Sequence, residues 1–434
     1  MERGMLRFTS AVAFAVAFGV AGVGLNAQTA GTIDGVSQLT AAMLGQVDGE
    51  PASIGETTYA KDDPSDYGPI EQVLKNVQAR GYINVGYAYN FNNNQSSFPG
   101  GSPAETVGRV FDTYHNEFVL HQVGLYLTSE ASNETPVGFS FGALLGKDAA
   151  VTANPTFVSG GDIDILEANI QVYTPDSIGV LGGTVFTLGK FLTSAGNEVI
   201  DSAYNDNVSR SIMSGALVPF THVGLKADTT IIEREDGEAM LSLMLGIANG
   251  WGNQNTGSAV TAPRGNGGFP TWLTSATFSP GGALDPSLTV NWFVGETSSV
   301  GRYRNLLDLV ASLQLFEGLS TSANFDYVTD EAGFVGGATG PFASAWSFSW
   351  IVRFDISDAM YIAGRWEHFE DTDGAFTGTA HSHIDPLTAT VGWWAFPNLL
   401  LRAELRVDPS NRKFYGNGTD YTQTTLGFDA SLVF

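Results

Sequence analysis

The sequence predicts an all-β fold, a transmembrane antiparallel up-and-down β-barrel of about 16 strands with short periplasmic turns and long outer loops. Three observations lead there: a two-residue hydrophobic period from Gly81 to the end of the chain, charges gathered on the polar face of that period, and connections that alternate between short and long. After the first residues, no run is continuously apolar over the length of a membrane helix, so a chain embedded in hydrocarbon must pair its backbone as a closed barrel.

The period is the strand signature. Ile83, Val85, Tyr87, Tyr89 and Phe91 share one face, while Asn84, Gly86, Ala88 and Asn90 share the other. From Phe342 to Phe354 the aromatics Trp346, Phe348 and Trp350 alternate with Ala345, Ser347 and Ser349. Leu399, Leu401, Ala403, Leu405 and Val407 alternate with Arg402, Glu404 and Arg406. A soluble sandwich would turn its apolar side inward and leave those charges in bulk water; a membrane barrel inverts the pattern, apolar toward lipid and polar toward a wet lumen.

Reading strands by alternation gives sixteen, near residues 81-91, 114-128, 137-146, 162-173, 180-191, 220-232, 238-248, 270-278, 287-297, 305-316, 319-329, 342-355, 359-370, 385-396, 399-407 and 421-434. Even-numbered strands lead into short links such as Glu317-Gly318, Ser357-Asp358 and Pro397-Asn398. Odd-numbered ones lead into mostly longer stretches rich in Gly, Asn and Asp, at 92-113, 192-219, 249-269 and 408-420. Barrels of this size leave an aqueous channel rather than a filled core.

The N-terminus reads as an export signal. Arg3 and Arg7 precede 18 uncharged residues, Phe8 to Leu25, and a small-residue site ends at Ala27. The expected organisation is a signal peptide at 1-27, a periplasmic leader at 28-80 with a short helix near Pro69 to Ala79, and the barrel at 81-434. An uncleaved anchor is the alternative, because 18 uncharged residues nearly span a bilayer.

The chain of 434 residues carries 45 acidic and 20 basic groups, a formal charge of −25. That excludes a phosphate-neutralising surface, so no nucleic acid is expected as a partner. The absence of Cys excludes disulfides, Cys-based zinc sites and thiol nucleophiles. Six His remain, and His381-Ser-His383 with nearby Asp385 could bind a metal or serve a Ser as base. Neither a nucleophile elbow nor the strand-to-helix context of a phosphate loop is present, so no catalytic residues, cofactor or metal are assigned.

Several segments, taken in order, carry a family resemblance: Gly81 to Asn92, Arg109 to Asp112, Leu188 to Phe191, Gly196-Asn197-Glu198, Ser209-Arg210-Ser211, Pro219 to Gly224 and Gly246 to Trp251. Together they resemble the Putative beta-barrel porin-2 (OmpL-like) family over roughly residues 80 to 434. The resemblance implies an outer-membrane channel without naming a solute. The end of the chain, Leu426, Phe428, Ala430, Leu432 and Phe434 on one face, is similar to the terminal signal through which barrel-assembly machinery takes up outer-membrane proteins.

Extending the alternation puts Glu167, His222, Lys226, Asp308, Asp326, Arg353, Arg365, Glu367, Arg402, Glu404, Arg406 and Asp429 on the polar face. Tyr82, Tyr89, Trp292, Trp366, Trp393, Tyr421 and Phe434, near strand ends, fit interfacial girdles. Residues 192-219 form the third outer loop. The layout resembles trimeric general porins, whose third loop folds into the barrel, and this resemblance places Glu198, Asp201 and Asp206 at a constriction. Across from them would stand a wall containing Arg353, Arg365, Arg402, Arg406, Glu367, Glu404 and Asp308, with the opposed charges setting up a transverse field.

The expectation is a porin of the bacterial outer membrane, exported through a cleaved signal peptide, surrounded by outer-membrane lipid and passing small hydrophilic solutes and ions by diffusion. A homo-oligomer is left open. The alternatives are a structural or adhesive barrel whose loops or leader bind a partner, and a barrel hydrolase.

Overall fold

A computed structural model describes residues 76-92, 106, 108-153, 161-175, 182-251, 270-296, 302-331, 342-416 and 418-434. The signal segment and nearly all of the leader lie outside these. The strands are β1 Gln78–Asn90, β2 Glu117–Ser129, β3 Val137–Leu145, β4 Ile163–Tyr173, β5 Thr184–Leu192, β6 Thr221–Glu233, β7 Ala239–Ala248, β8 Thr271–Phe278 and β9 Ser287–Glu296. They continue as β10 Tyr303–Phe316, β11 Leu319–Asp330, β12 Ala343–Ser357, β13 Met360–Asp371, β14 Ser382–Ile384, β15 Leu387–Phe396, β16 Leu399–Pro409 and β17 Thr422–Val433.

These seventeen segments make sixteen staves, because β14 and β15 both pair with β13. The stave expected at 385-396 is split at Asp385-Pro386, where a residue without an N–H cannot continue the ladder. Each stave pairs antiparallel with its sequence neighbours, and β1 pairs with β17 from Tyr82↔Val433 to Asn90↔Thr425. The cylinder is therefore closed and has no free edge. At the seam Gly81 and Phe434 exchange backbone hydrogen bonds of 2.6 and 2.8 Å. The Phe434 ring lies where a Cβ on residue 81 would stand, so any side chain there would push the ring aside.

β1 starts at Gln78, three residues ahead of the sequence-based boundary at Gly81, so the end of the expected leader helix is strand. Asn76 and Val77 of that helix form a turn leading into the strand, and residues 69-75 lie outside the described residues. Short links join the strands at one end, as at Glu317-Gly318, where Gly318 takes a φ of +81° that side chains resist.

Strand parity separates two solvents. Ile83, Val85, Tyr87, Trp350, Trp366, Leu405 and Phe428 face outward, whereas Asn84, Ser347, Ser349, Arg365, Glu367, Arg402, Glu404 and Arg406 are buried inside. Of the expected girdle residues, Tyr89, Trp292, Trp366, Trp393, Tyr421 and Phe434 are exposed on the outside. Tyr82 is not: it is 0% exposed and points inward, because it shares parity with Asn84 rather than with Ile83.

Candidate pore constriction

The loop between β5 and β6, residues 193-220, does not leave the barrel. It runs through the lumen, with a 3-10 turn at Ser202–Tyr204 and a short helix, α1, at Ile212–Ala216. A loop buried this way must find partners for its backbone N–H and C=O groups, and charged wall residues supply them. Glu404 accepts from the amides of Val208 (2.7 Å) and Ser209 (3.1 Å). Glu367 accepts from the amides of Ile212 and Met213, both at 2.8 Å, at the start of α1. Arg402 donates to the Ser202 carbonyl at 2.9 Å and also to that of Asn205. Arg406 donates to the Arg210 carbonyl at 2.6 Å, and Arg365 to that of Ser209 at 2.6 Å.

Apolar residues of the loop seat it further. Ile212, Met213 and Leu217 join Phe191, Leu273, Phe293, Leu306, Val328 and Phe369, inward residues of β5 and β8 to β13. On the opposite side Ile200 and Ala203 pack with Tyr82, Tyr126, Leu144 and Leu166 from β1 to β4. The lumen at this level thus contains two dry clusters joined by a polar belt.

The three loop carboxylates meet different partners. Glu198 pairs with Arg365 at 2.5 Å, and Asp206 pairs with Arg353 at 3.0 Å. Asp201 turns away from the arginine wall toward β1 and β2. There it accepts from Tyr82 at 2.9 Å and Tyr126 at 2.5 Å, and pairs with Arg80 at 3.0 Å. The wall arginines are equally engaged: Arg402 with Asp429 at 2.5 Å, Arg406 with Asp408 at 2.6 Å, and Arg353 with Asp355 at 2.8 Å. The opposed charges therefore touch, which departs from a field stretched across an open gap. Asp308 faces inward but is covered, receiving the amides of Asn291 and Asn324, both at 2.6 Å, beneath the start of the loop.

Sequence parity missed the anchors on β1 and β2. Gln122 binds the loop at both ends of one short stretch, accepting from the Ser202 amide and donating to the Ile200 carbonyl, each at 2.8 Å. Reading Tyr82 and Asn84 as one inward face would have exposed this side. The first outer loop also enters. Its Arg109 pairs with Asp408 at 2.9 Å and with Asp112, and its Phe111 lies under the Arg210 guanidinium at 4.2 Å. Burial opposes the charge of Arg109, but Asp112 and Asp408 outweigh it and hold the guanidinium above its ordinary range.

At the outer rim His383 lies 3.8 Å from Glu370 and 3.7 Å from Asp385, and His381 lies 3.9 Å from Glu370. Among the described residues no group of three or more such side chains is arranged to hold a metal ion.

The family model described as Putative beta-barrel porin-2, OmpL-like, matches residues 76–434, and the chain belongs to that family. Among solved structures it is similar to the anion-selective porin from Comamonas acidovorans, with a TM-score of 0.52 and 11% identity over 82% of this chain and 99% of that one. It is also similar to OprB of Pseudomonas putida, with a TM-score of 0.53 and 10% identity over 84% and 96%. The outer membrane channel DcaP of Acinetobacter baumannii gives a TM-score of 0.52 and 12% identity over 82% and 97%. At these identities the likeness is one of fold. No curated protein matches. By fold and family the protein is a porin, a passive-diffusion channel of the bacterial outer membrane.

Proposed function

We propose that the channel passes small hydrophilic solutes and ions, and that loop 193-220 sets its size limit. The observation that carries this is the seating of the loop on opposite walls, with Ile212, Met213 and Leu217 packed against β8 to β13 and Ile200 and Ala203 against β1 to β4. A strap held at both sides narrows a lumen that sixteen staves would otherwise leave wide. Residues 1-27 serve as a cleaved signal peptide, Phe434 serves recognition by the barrel-assembly machinery, and the aromatic rim contacts outer-membrane lipid. The protein works as a channel rather than an enzyme, and assembly into a homo-oligomer is compatible with its outer face. The test is swelling of liposomes containing the purified protein in sugars of graded size. Swelling in small sugars that stops as size increases supports the reading, and no swelling in any sugar contradicts it.

A further inference from the structure

The arginine wall, the obvious place for ion selection, has little field to spare. Arg353, Arg365, Arg402 and Arg406 each contact a carboxylate, and Arg365, Arg402 and Arg406 also donate to loop carbonyls. A charge whose counter-charge touches it loses most of its reach, whereas an unpaired charge in a poorly polarisable passage keeps it.

On the other wall the carboxyl of Glu167 on β4 has no counter-charge in contact with it. It is half-buried inside the barrel, no hydrogen bond or ion pair holds it among the described residues, and Arg80, Lys226 and the carboxylate of Asp201 act on it only at a distance. A β-bulge aims it there. The β3–β4 register passes from Gly142↔Glu167 to Ala143↔Ile165, leaving Leu166 as the extra residue. Inward parity consequently shifts within β4. Asp164 and Leu166 point in before the bulge, and Glu167 and Asn169 point in after it, so two adjacent residues share the lumen face. Gly142, opposite, has no side chain where the Tyr126 ring lies, and a Cβ there would stand 3.6 Å from that of Glu167. Arg80 stacks on Tyr126 at 3.7 Å with 34% of its side chain exposed, and Lys226 pairs with Asp228 at 3.0 Å.

We infer that Glu167, flanked by Arg80 on β1 and Lys226 on β6, is the ion-selecting carboxylate of the passage, in place of the loop carboxylates and the arginine wall. This rests on the channel reading above. It is tested by reversal potentials of the full-length protein in planar bilayers under a KCl gradient at low salt, for the wild type, Glu167→Gln, Glu167→Asp and Lys226→Gln. Glu167→Gln should lower the cation-to-anion permeability ratio about twofold or more, and Lys226→Gln should raise it. Glu167→Asp should stay near wild type. All of these differences should shrink in concentrated salt. An unchanged potential in Glu167→Gln, or shifts of the same sign in the two Gln variants, overturns the assignment while leaving the channel reading intact. Wild-type protein that carries no current overturns the channel reading instead. Should Glu167→Gln fail to form a heat-modifiable barrel, Glu167→Ser takes its place with the same expected fall in the ratio.

Discussion

Phe348 and Ser347 are adjacent in the chain and face different solvents. Phe348 is on the outside beside Trp366, and Ser347 is 0% exposed inside, donating to Glu367 at 3.1 Å. Phe348→Arg should therefore cost about 2–4 kcal/mol if it meets the bilayer midplane, read as a lowered unfolding midpoint in lipid vesicles; equal stability to wild type would mean the face is misassigned. Ser347→Arg, which sequence parity alone makes a mild change of the pore, must instead displace the Glu367 carboxylate that holds α1. Arg365→Met leaves Glu198 buried without its partner, a penalty of about 3–5 kcal/mol for such pairs. Because the loss falls on the loop, it should appear as protease sensitivity within 193-220 while the barrel stays folded; a loop as resistant as wild type would contradict it. Parity made the wall charges legible one by one. It could not reveal that Asp308 is covered or that Asp201 turns toward two tyrosines, because those facts depend on where a loop lies and not on the strand that carries the partner.

At the scale of elements, the staves were readable because one face meets lipid and the other meets polar surroundings, which forces alternation. Two departures have local causes. Pro386 interrupts one stave, and the bulge in β4 adds a residue that shifts the parity used to assign faces. Loop 193-220 stands out by length, and its inward path is expected from the resemblance to trimeric general porins rather than from its small and polar residues, which suit an outer loop as well as a lumen strap. Its apolar residues Ile200, Ile212, Met213 and Leu217 are the signal that distinguishes the two, because an exposed loop would leave them in water. Neutralising both anchors, Glu198→Gln with Asp201→Asn, removes charge-assisted bonds to β13 and to β1 and β2. The expected result is noisier single-channel current in an intact barrel. Variant traces as quiet as those of the wild type would show that these carboxylates do not fix the loop.

At the scale of the whole molecule, pairing of β1 with β17 removes every edge, so the protein should run as a compact band in detergent gels until heated and should give a strand-dominated circular dichroism spectrum. A predominantly helical spectrum would contradict closure. The net charge of −25 is a sum over the entire chain, whereas the lumen, where arginines and carboxylates are matched, sets the passage. Selectivity is therefore not readable from composition. The central claim is that sixteen staves enclose an aqueous path narrowed from within by loop 193-220. Single-channel conductance of the wild type beside a variant lacking residues 197-207 tests it most directly. A resolved wild-type current that rises when the segment is removed, with the heat-modifiable band retained, is the predicted result; equal currents in the two proteins would place the loop outside the path.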